Sequence, residues 1–284
     1  MPYTGCKPGG GANLKIGGKV GKQLVRAVSR NPKLTAKDLH WQALTGGVDC
    51  SVYTVQRFLT AAGLCSKRPV PKPLLLPHHI QARLAFARDV VDQDWSQVLF
   101  SDEATFWLES CVRRVWVRKG MKFVARKIKY PQKLQVLGCV SAAGFGRLSI
   151  FQGIMNAEHL CQVYQKPLLP SAKKLFGPSS TEWILQEVND SNHCSALALA
   201  WKAEHHVTTL PWPSSSPDLN PFENAWAILN QRVAKRRVMT LKGLAHIITD
   251  EWKHLPQDLA ACLVGSMKSR LYPLVQARGD WTRY

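Results

Sequence analysis

Negative charge is what this chain has least of. Aspartate and glutamate number 19 against 38 lysines and arginines, a formal net charge of +19 over 284 residues. Residues 1–72 are more one-sided: twelve basic side chains, from Lys7 to Lys72, face only Asp38 and Asp49. So lopsided a balance is unlike an ordinary metabolic enzyme. It calls for a polyanionic partner, since each neutralised phosphate releases counterions and drives binding; the alternative is a solvated basic face kept for solubility. Paired cysteines are missing as well. The eight cysteines are scattered without a C-x-x-C spacing, which argues against zinc or dithiol chemistry. They read as reduced, mostly buried apolar residues. Neither an apolar run long enough to cross a bilayer nor a stretch resembling a signal peptide is visible. The expected location is therefore the nucleus or cytosol, with no secretion and no membrane partner. No internal repeat is apparent.

What is present divides along the chain. Residues 1–18 hold Gly5, Gly9, Gly10, Gly11, Gly17 and Gly18 and read as a flexible lead-in. Residues 19–66 then carry three helical patterns. The first runs Lys19–Ser29, with Leu24, Val25 and Val28 at helical spacing and Asn31–Pro32 as its stop. In the second, Thr35 is an N-cap with Asp38 three residues on, and Leu39 and Leu44 supply apolar contacts. The third starts at the N-cap Ser51 and reaches Ala62, with Val52, Val55 and Leu59 on one face. Three short helices on a basic surface match a helix-turn-helix module, and a generic helical bundle fits the pattern too. In the first reading Ser51, Tyr53, Thr54 and Arg57 are the side chains offered to DNA.

Pro69, Pro71, Pro73 and Pro77 mark residues 67–78 as a stiff linker. In residues 79–284, helical periodicity continues from His78 to Asp89, followed by strand-like runs at Gln97–Leu108, Val112–Val117, Leu134–Ser141 and Arg147–Gly153. Helix at Ala157–Leu175, strand at Glu182–Val188, helix at Ser195–Glu204, strand at Val207–Leu210, helix from Pro221 and a helical tail over Leu241–Leu271 complete the order. Several strands followed by alternating helix and strand indicate an α/β layered fold. Trp95, Trp107, Trp116 and Trp183 read as core residues.

Two acids stand out in this frame. Asp102 sits in the apolar run Val98–Leu99–Phe100–Ser101–Asp102–Glu103, and Glu223 opens a helix after Ser216–Pro217–Asp218–Leu219–Asn220–Pro221–Phe222. Phosphodiester cleavage uses two divalent cations about 3.5–4 Å apart, held by convergent carboxylates. A strand acid and a helix acid can serve such a site. Taken singly, Asp102 can also cap a strand end, and Glu223 can be a first-turn acid favoured by the helix dipole.

The segment Trp212–Pro213–Ser214–Ser215–Ser216–Pro217–Asp218–Leu219–Asn220–Pro221–Phe222–Glu223–Asn224–Ala225–Trp226 closely resembles the third catalytic block of the Tc/mariner transposases, in their Sleeping Beauty-like branch. Ser101–Asp102–Glu103 looks like the first block. Leu137–Gly138–Cys139–Val140–Ser141, Gly153–Ile154–Met155, Leu168–Leu169–Pro170 and the closing Gly279–Asp280–Trp281–Thr282–Arg283–Tyr284 resemble further landmarks. The resemblance covers residues 19–284. It implies a ribonuclease H-like catalytic domain, a mixed sheet with helices, preceded by helix-turn-helix modules. It also implies cut-and-paste transposition and integration of double-stranded DNA at transposon ends, with Mg2+ or Mn2+ as cofactor and a homodimer as the working unit. Relatives carry two DNA-binding modules where this chain has room for one, so it resembles an N-terminally truncated member.

The family's second block begins with a metal-binding aspartate, separated from the catalytic glutamate by 34 residues. Here the matching stretch is Val188–Asn189–Asp190–Ser191–Asn192–His193, and the 35 steps from 188 to 223 leave the register ungapped. The resemblance therefore makes Asp102 and Glu223 catalytic and metal-binding while Val188 occupies the second ligand position. Asp190 is a poor substitute: along a strand it lies about 6–7 Å further on, against metal–oxygen distances of about 2.0–2.1 Å. His193 falls in the same block, as either a phosphate-positioning or a structural histidine. Two readings stay open: a DDE-type transposase with weakened metal binding and impaired catalysis, or a non-catalytic DNA-binding remnant of a transposon.

Overall fold

The computed structural model describes residues 16–67, 72–108, 120–121, 129, 131–178, 180, 182–236 and 238–282. The Val112–Val117 strand expectation, Trp116, Pro69 and Pro71 lie outside them. The chain forms two compact units that divide between Lys72 and Pro73.

The first unit is built of helices α1 (Gly18–Arg30), α2 (Ala36–Thr45) and α3 (Val52–Ala61). Its helix starts follow from local chemistry. The Thr35 hydroxyl accepts from the Asp38 amide while Asp38 accepts from the Thr35 amide, a reciprocal capping box. Ser51 caps α3 by accepting from the Thr54 amide at 3.2 Å. Leu24, Leu39, Ala43 and Val55 are fully enclosed and form the small core. Leu44, expected to contribute to it, is exposed; Ala43, four residues after Leu39, takes the inward position.

The second unit is a mixed sheet between two helical layers. Its described strands are β1 (Val98–Trp107), β2 (Lys133–Ser141), β3 (Gly144–Phe145), β4 (Ser149–Phe151), β5 (Ile184–Gln186) and β6 (Thr208–Thr209). They lie in the order β3-β2-β1-β5-β6, with β4 also on β2. The pairs β1–β2, β2–β3 and β2–β4 are antiparallel, whereas β1–β5 and β5–β6 are parallel. Period-two alternation on β1 sends Val98, Phe100 and Phe106 into one apolar cluster and Leu99 into the other. Buried on both faces, β1 is the central strand.

One layer contains α5 (Ala157–Val163), α6 (Leu169–Phe176) and α7 (Ala196–Glu204). The other contains α8 (Phe222–Ala234), α9 (Leu241–Lys253), α10 (Gln257–Gly265) and α11 (Met267–Gln276), with α4 (Pro77–Asp89) packed on α11. The single helix expected over Ala157–Leu175 is interrupted by a π turn at Tyr164–Leu168, because Pro167 has no N–H to continue the normal ladder. Pro256 and the Ser266 turn likewise divide the expected helical tail into three.

Burial corrects two residue expectations. Cys50 and Cys139 are enclosed, but Cys65, Cys194 and Cys262 are exposed, so the described cysteines are not mostly core. Trp95 and Trp183 are buried; Trp107, at the end of β1, is exposed with the Lys133 ammonium over its ring at 5.4 Å.

Candidate catalytic site

Asp102 stands midway along β1, directly across from Gly138 on β2. A Cβ at Gly138 would lie 3.0–3.1 Å from Leu148, Phe222 and Trp226, so glycine there lets α8 settle against the sheet. That approach brings Trp226 over the strand, and its indole Nε1 donates to Asp102 Oδ2 at 3.2 Å. Glu223 is three residues earlier on α8, in its first turn. Asp102 is only 7% exposed. Burial, then the charges of Glu103 and Glu223, push its carboxyl up to about 8. Burial also raises Glu223, although its side chain still reaches solvent.

Position 188 lies just beyond the neighbouring strand. The parallel register pairs Val98 with Ile184, Leu99 with Leu185 and Phe100 with Gln186, and Ser101 Oγ donates to the Gln186 carbonyl at 3.1 Å. The paired register stops at Phe100 and Gln186, two residues short of Asp102 and Val188. Val188 is 39% exposed and offers no donor atom for a metal. Strand β5, expected to reach Val188, ends at Gln186. Beyond it the chain turns tightly: the Asp190 amide donates to the Val188 carbonyl at 2.9 Å. The Asp190 carboxylate accepts from the amides of Asn192 and His193, both at 2.9 Å, and lies 2.7 Å from His193 Nδ1. Burial works against ionisation there, but the bonds from His193 prevail and hold the Asp190 carboxyl below the ordinary range. Asp190 is thus engaged in its own turn rather than extended along a strand.

On the other face of the sheet lies an ionic cluster that the sequence pattern did not reveal. Glu187 accepts from the Tyr164 hydroxyl at 2.5 Å and pairs with Lys202. His193, 2% exposed, has Nε2 at 3.4 Å from Glu103 and 3.9 Å from Glu187. Burial would lower the imidazole, but these carboxylates outweigh it and raise His193 to about 9. His193 is thus enclosed among carboxylates that favour its protonated form. The signal was period-two alternation: Glu103 and Glu187 adjoin Asp102 and Val188 and must face the opposite way.

A second network fixes the loop that leads into Glu223. Arg83, completely buried on α4, donates bidentately to Asp218, with both bonds at 2.8 Å. It also donates to the carbonyls of Ser215, Gly279 and Asp280. Asp218 accepts further from the Thr282 amide and hydroxyl. Arg270 binds the Asp218 carbonyl at 3.0 Å and the Asn224 side chain at 2.6 Å. Gly279 allows the closing turn to approach: with φ +90°, its Cβ would lie 2.1 Å from the Ile80 carbonyl. Asp218 therefore anchors the start of α8 through Arg83, Arg270 and Thr282.

In the first unit, the DNA-contact candidates sit on the opening turns of α3. Ser51 and Thr54 have hydroxyls 3.0 Å apart and are engaged in the cap, while Tyr53 and Arg57 project to solvent.

Residues 21–92 match the helix-turn-helix family described as "Transposase", and residues 97–245 match the "DDE superfamily endonuclease" family. The chain belongs to the Tc1/mariner transposase family. Among its Tc1/mariner relatives, the transposable element Tc1 transposase of Caenorhabditis elegans is 28% identical over 274 residues, covering 93% of this chain and 99% of that one. The Tcb2 transposase of Caenorhabditis briggsae is 29% identical over the same coverage. Solved structures share the fold. The Mos1 transposase paired-end complex with left transposon end gives a TM-score of 0.80 at 15% identity, over 98% of this chain and 83% of that one. The mariner Mos1 paired-end complex with Mg gives 0.81 at 14% identity, over 100% and 85%. The mixed sheet with its helices is thus the ribonuclease H-like layout of the Mos1 catalytic domain, preceded by a helical helix-turn-helix region. No helix among the described residues is long and apolar enough to cross a membrane.

Proposed function

We propose that this Tc1/mariner transposase-family chain binds duplex DNA through residues 19–66 and carries, in residues 79–284, a DNA-cutting domain whose metal-dependent step is weakened by orders of magnitude or lost. The observation that supports this reading is the ungapped step of 35 positions from Val188 to Glu223, with an apolar residue where the family's second block has its aspartate. Asp102 and Glu223 have the oxygen chemistry that a hard cation such as Mg2+ or Mn2+ takes. A two-cation site needs more donors than they supply, and among the described residues no three His, Cys, Asp or Glu side chains are arranged so that they could hold a metal ion. The residues therefore do not fit that cofactor pair, and Mg2+ binding is weakened. Transposon ends as the DNA partner are supported by the Mos1 paired-end complex with left transposon end; a homodimer as the working unit belongs to the same proposal. The corresponding location is the nucleus. Asp102 and Glu223 are the surviving catalytic residues, and Tyr53 and Arg57, with Ser51 and Thr54 shaping the helix start, serve DNA contact.

The test is cleavage of a duplex carrying the element's ends by purified protein and by Val188→Asp, side by side with Mg2+ or Mn2+. The expected result is DNA binding without nicking by the present chain and cutting raised at least about 100-fold by the substitution, the scale of losing a site that acts as a unit. Equal cutting by both proteins would overturn the impairment. Cutting by neither would reject a site otherwise intact, and absence of DNA binding would reject the function altogether.

A further inference from the structure

A cleft of about 880 Å3 opens at the outer edge of the sheet, bordered by the β3–β4 segment, α6, α9 and the start of α10. Arg147, Lys174 and Lys253 project to solvent around it together with His246, and no acidic side chain lines it. The acids of α9 are directed elsewhere: Asp250 and Glu251 pair with Arg236 at 3.2 and 2.7 Å. The cleft therefore holds three cations without a negative lining group.

Its floor is apolar. Phe145 and Trp252 meet edge to face at 4.9 Å, and the Trp252 indole N–H is already bonded to the Gly146 carbonyl at 2.8 Å. Leu148 and Ile150 remain partly exposed above them. A cationic rim over an apolar floor complements a nucleic-acid backbone, in which charged phosphates alternate with weakly polar deoxyribose. One wall of the cleft, on α9, adjoins the catalytic-site candidates: Trp252 stacks on Trp226 at 5.6 Å, and Trp226 donates to Asp102.

We propose that this cleft is a duplex-DNA backbone site, in which phosphates meet Arg147, Lys174 and Lys253 and the sugars lie on Leu148 and Ile150. The proposal rests on the DNA-binding reading above and adds a contact outside the helix-turn-helix unit. Its test uses the full chain and a fluorescent duplex, with affinity measured across a series of KCl concentrations. The triple variant Arg147→Ala/Lys174→Ala/Lys253→Ala is compared with Arg88→Ala/Lys242→Ala/Lys268→Ala, which removes the same charge from exposed positions outside the cleft. Each phosphate contact contributes about 0.9 to the log–log salt slope. The cleft variant is expected to lose about 2 to 3 from that slope and the control less than about 1. Equal slopes for the two variants would overturn the cleft while leaving DNA binding intact. A wild-type protein with no salt-dependent binding would overturn both readings together.

Discussion

Asp102 is buried, and that burial with the charges of Glu103 and Glu223 keeps its carboxyl protonated up to about pH 8. Between its ordinary value of 3.8 and that figure, the folded chain holds a proton that the unfolded chain releases. The group's stabilising contribution is therefore fully present below about pH 3.8 and is lost as pH rises through about 8. Asp102→Asn keeps an acceptor for the Trp226 indole and removes the charge. Thermal melts should show the variant gaining on the parent as pH rises from 5 to 8, by up to about 1.4 kcal/mol per pH unit, and levelling above that. A gap independent of pH would contradict the assignment. Single residues were unevenly legible in the sequence. Asp102 and Glu223 stood inside recognisable blocks. Arg83 did not, because its partner Asp218 lies 135 positions away and only the fold joins them.

Helices and strands were legible where local chemistry decides them. The Thr35–Asp38 capping box and the Ser51 cap are short-range events, so the beginnings of α2 and α3 could be read directly. The end of β5 could not: Glu182–Val188 has strand character throughout, but the turn held by Asp190 and His193 stops the strand at Gln186. Packing between elements was less visible still. Gly138 stands in a segment that resembles a family landmark, but nothing local says that it sets how closely α8 approaches β1 and β2. Gly138→Ala should cost about 1–3 kcal/mol by overpacking, measured by denaturant unfolding. In a Val188→Asp background it should also reduce cutting, because Glu223 moves with α8. An unchanged unfolding midpoint would show that Leu148, Phe222 and Trp226 yield without cost.

The whole molecule combines strong positive charge with two separately packed units. Charge announced a polyanion partner from composition alone, and the α/β layering followed from element order. The cationic cleft at the sheet edge was hidden, because Arg147, Lys174 and Lys253 are brought together only by tertiary structure. Binding and cutting should separate at this scale. Arg57→Ala is expected to weaken duplex binding and lower the salt slope by about 1, whereas Val188→Asp should leave both unchanged without divalent metal. Parallel losses in the two variants, measured by fluorescence anisotropy, would show that the functions are not separable. The bonds from Arg83 to Gly279 and Asp280 also close long loops. They join positions 196 and 197 apart, so the buried guanidinium gains its full hydrogen-bonded shell only when distant segments of this unit have met, and its folding is correspondingly non-local.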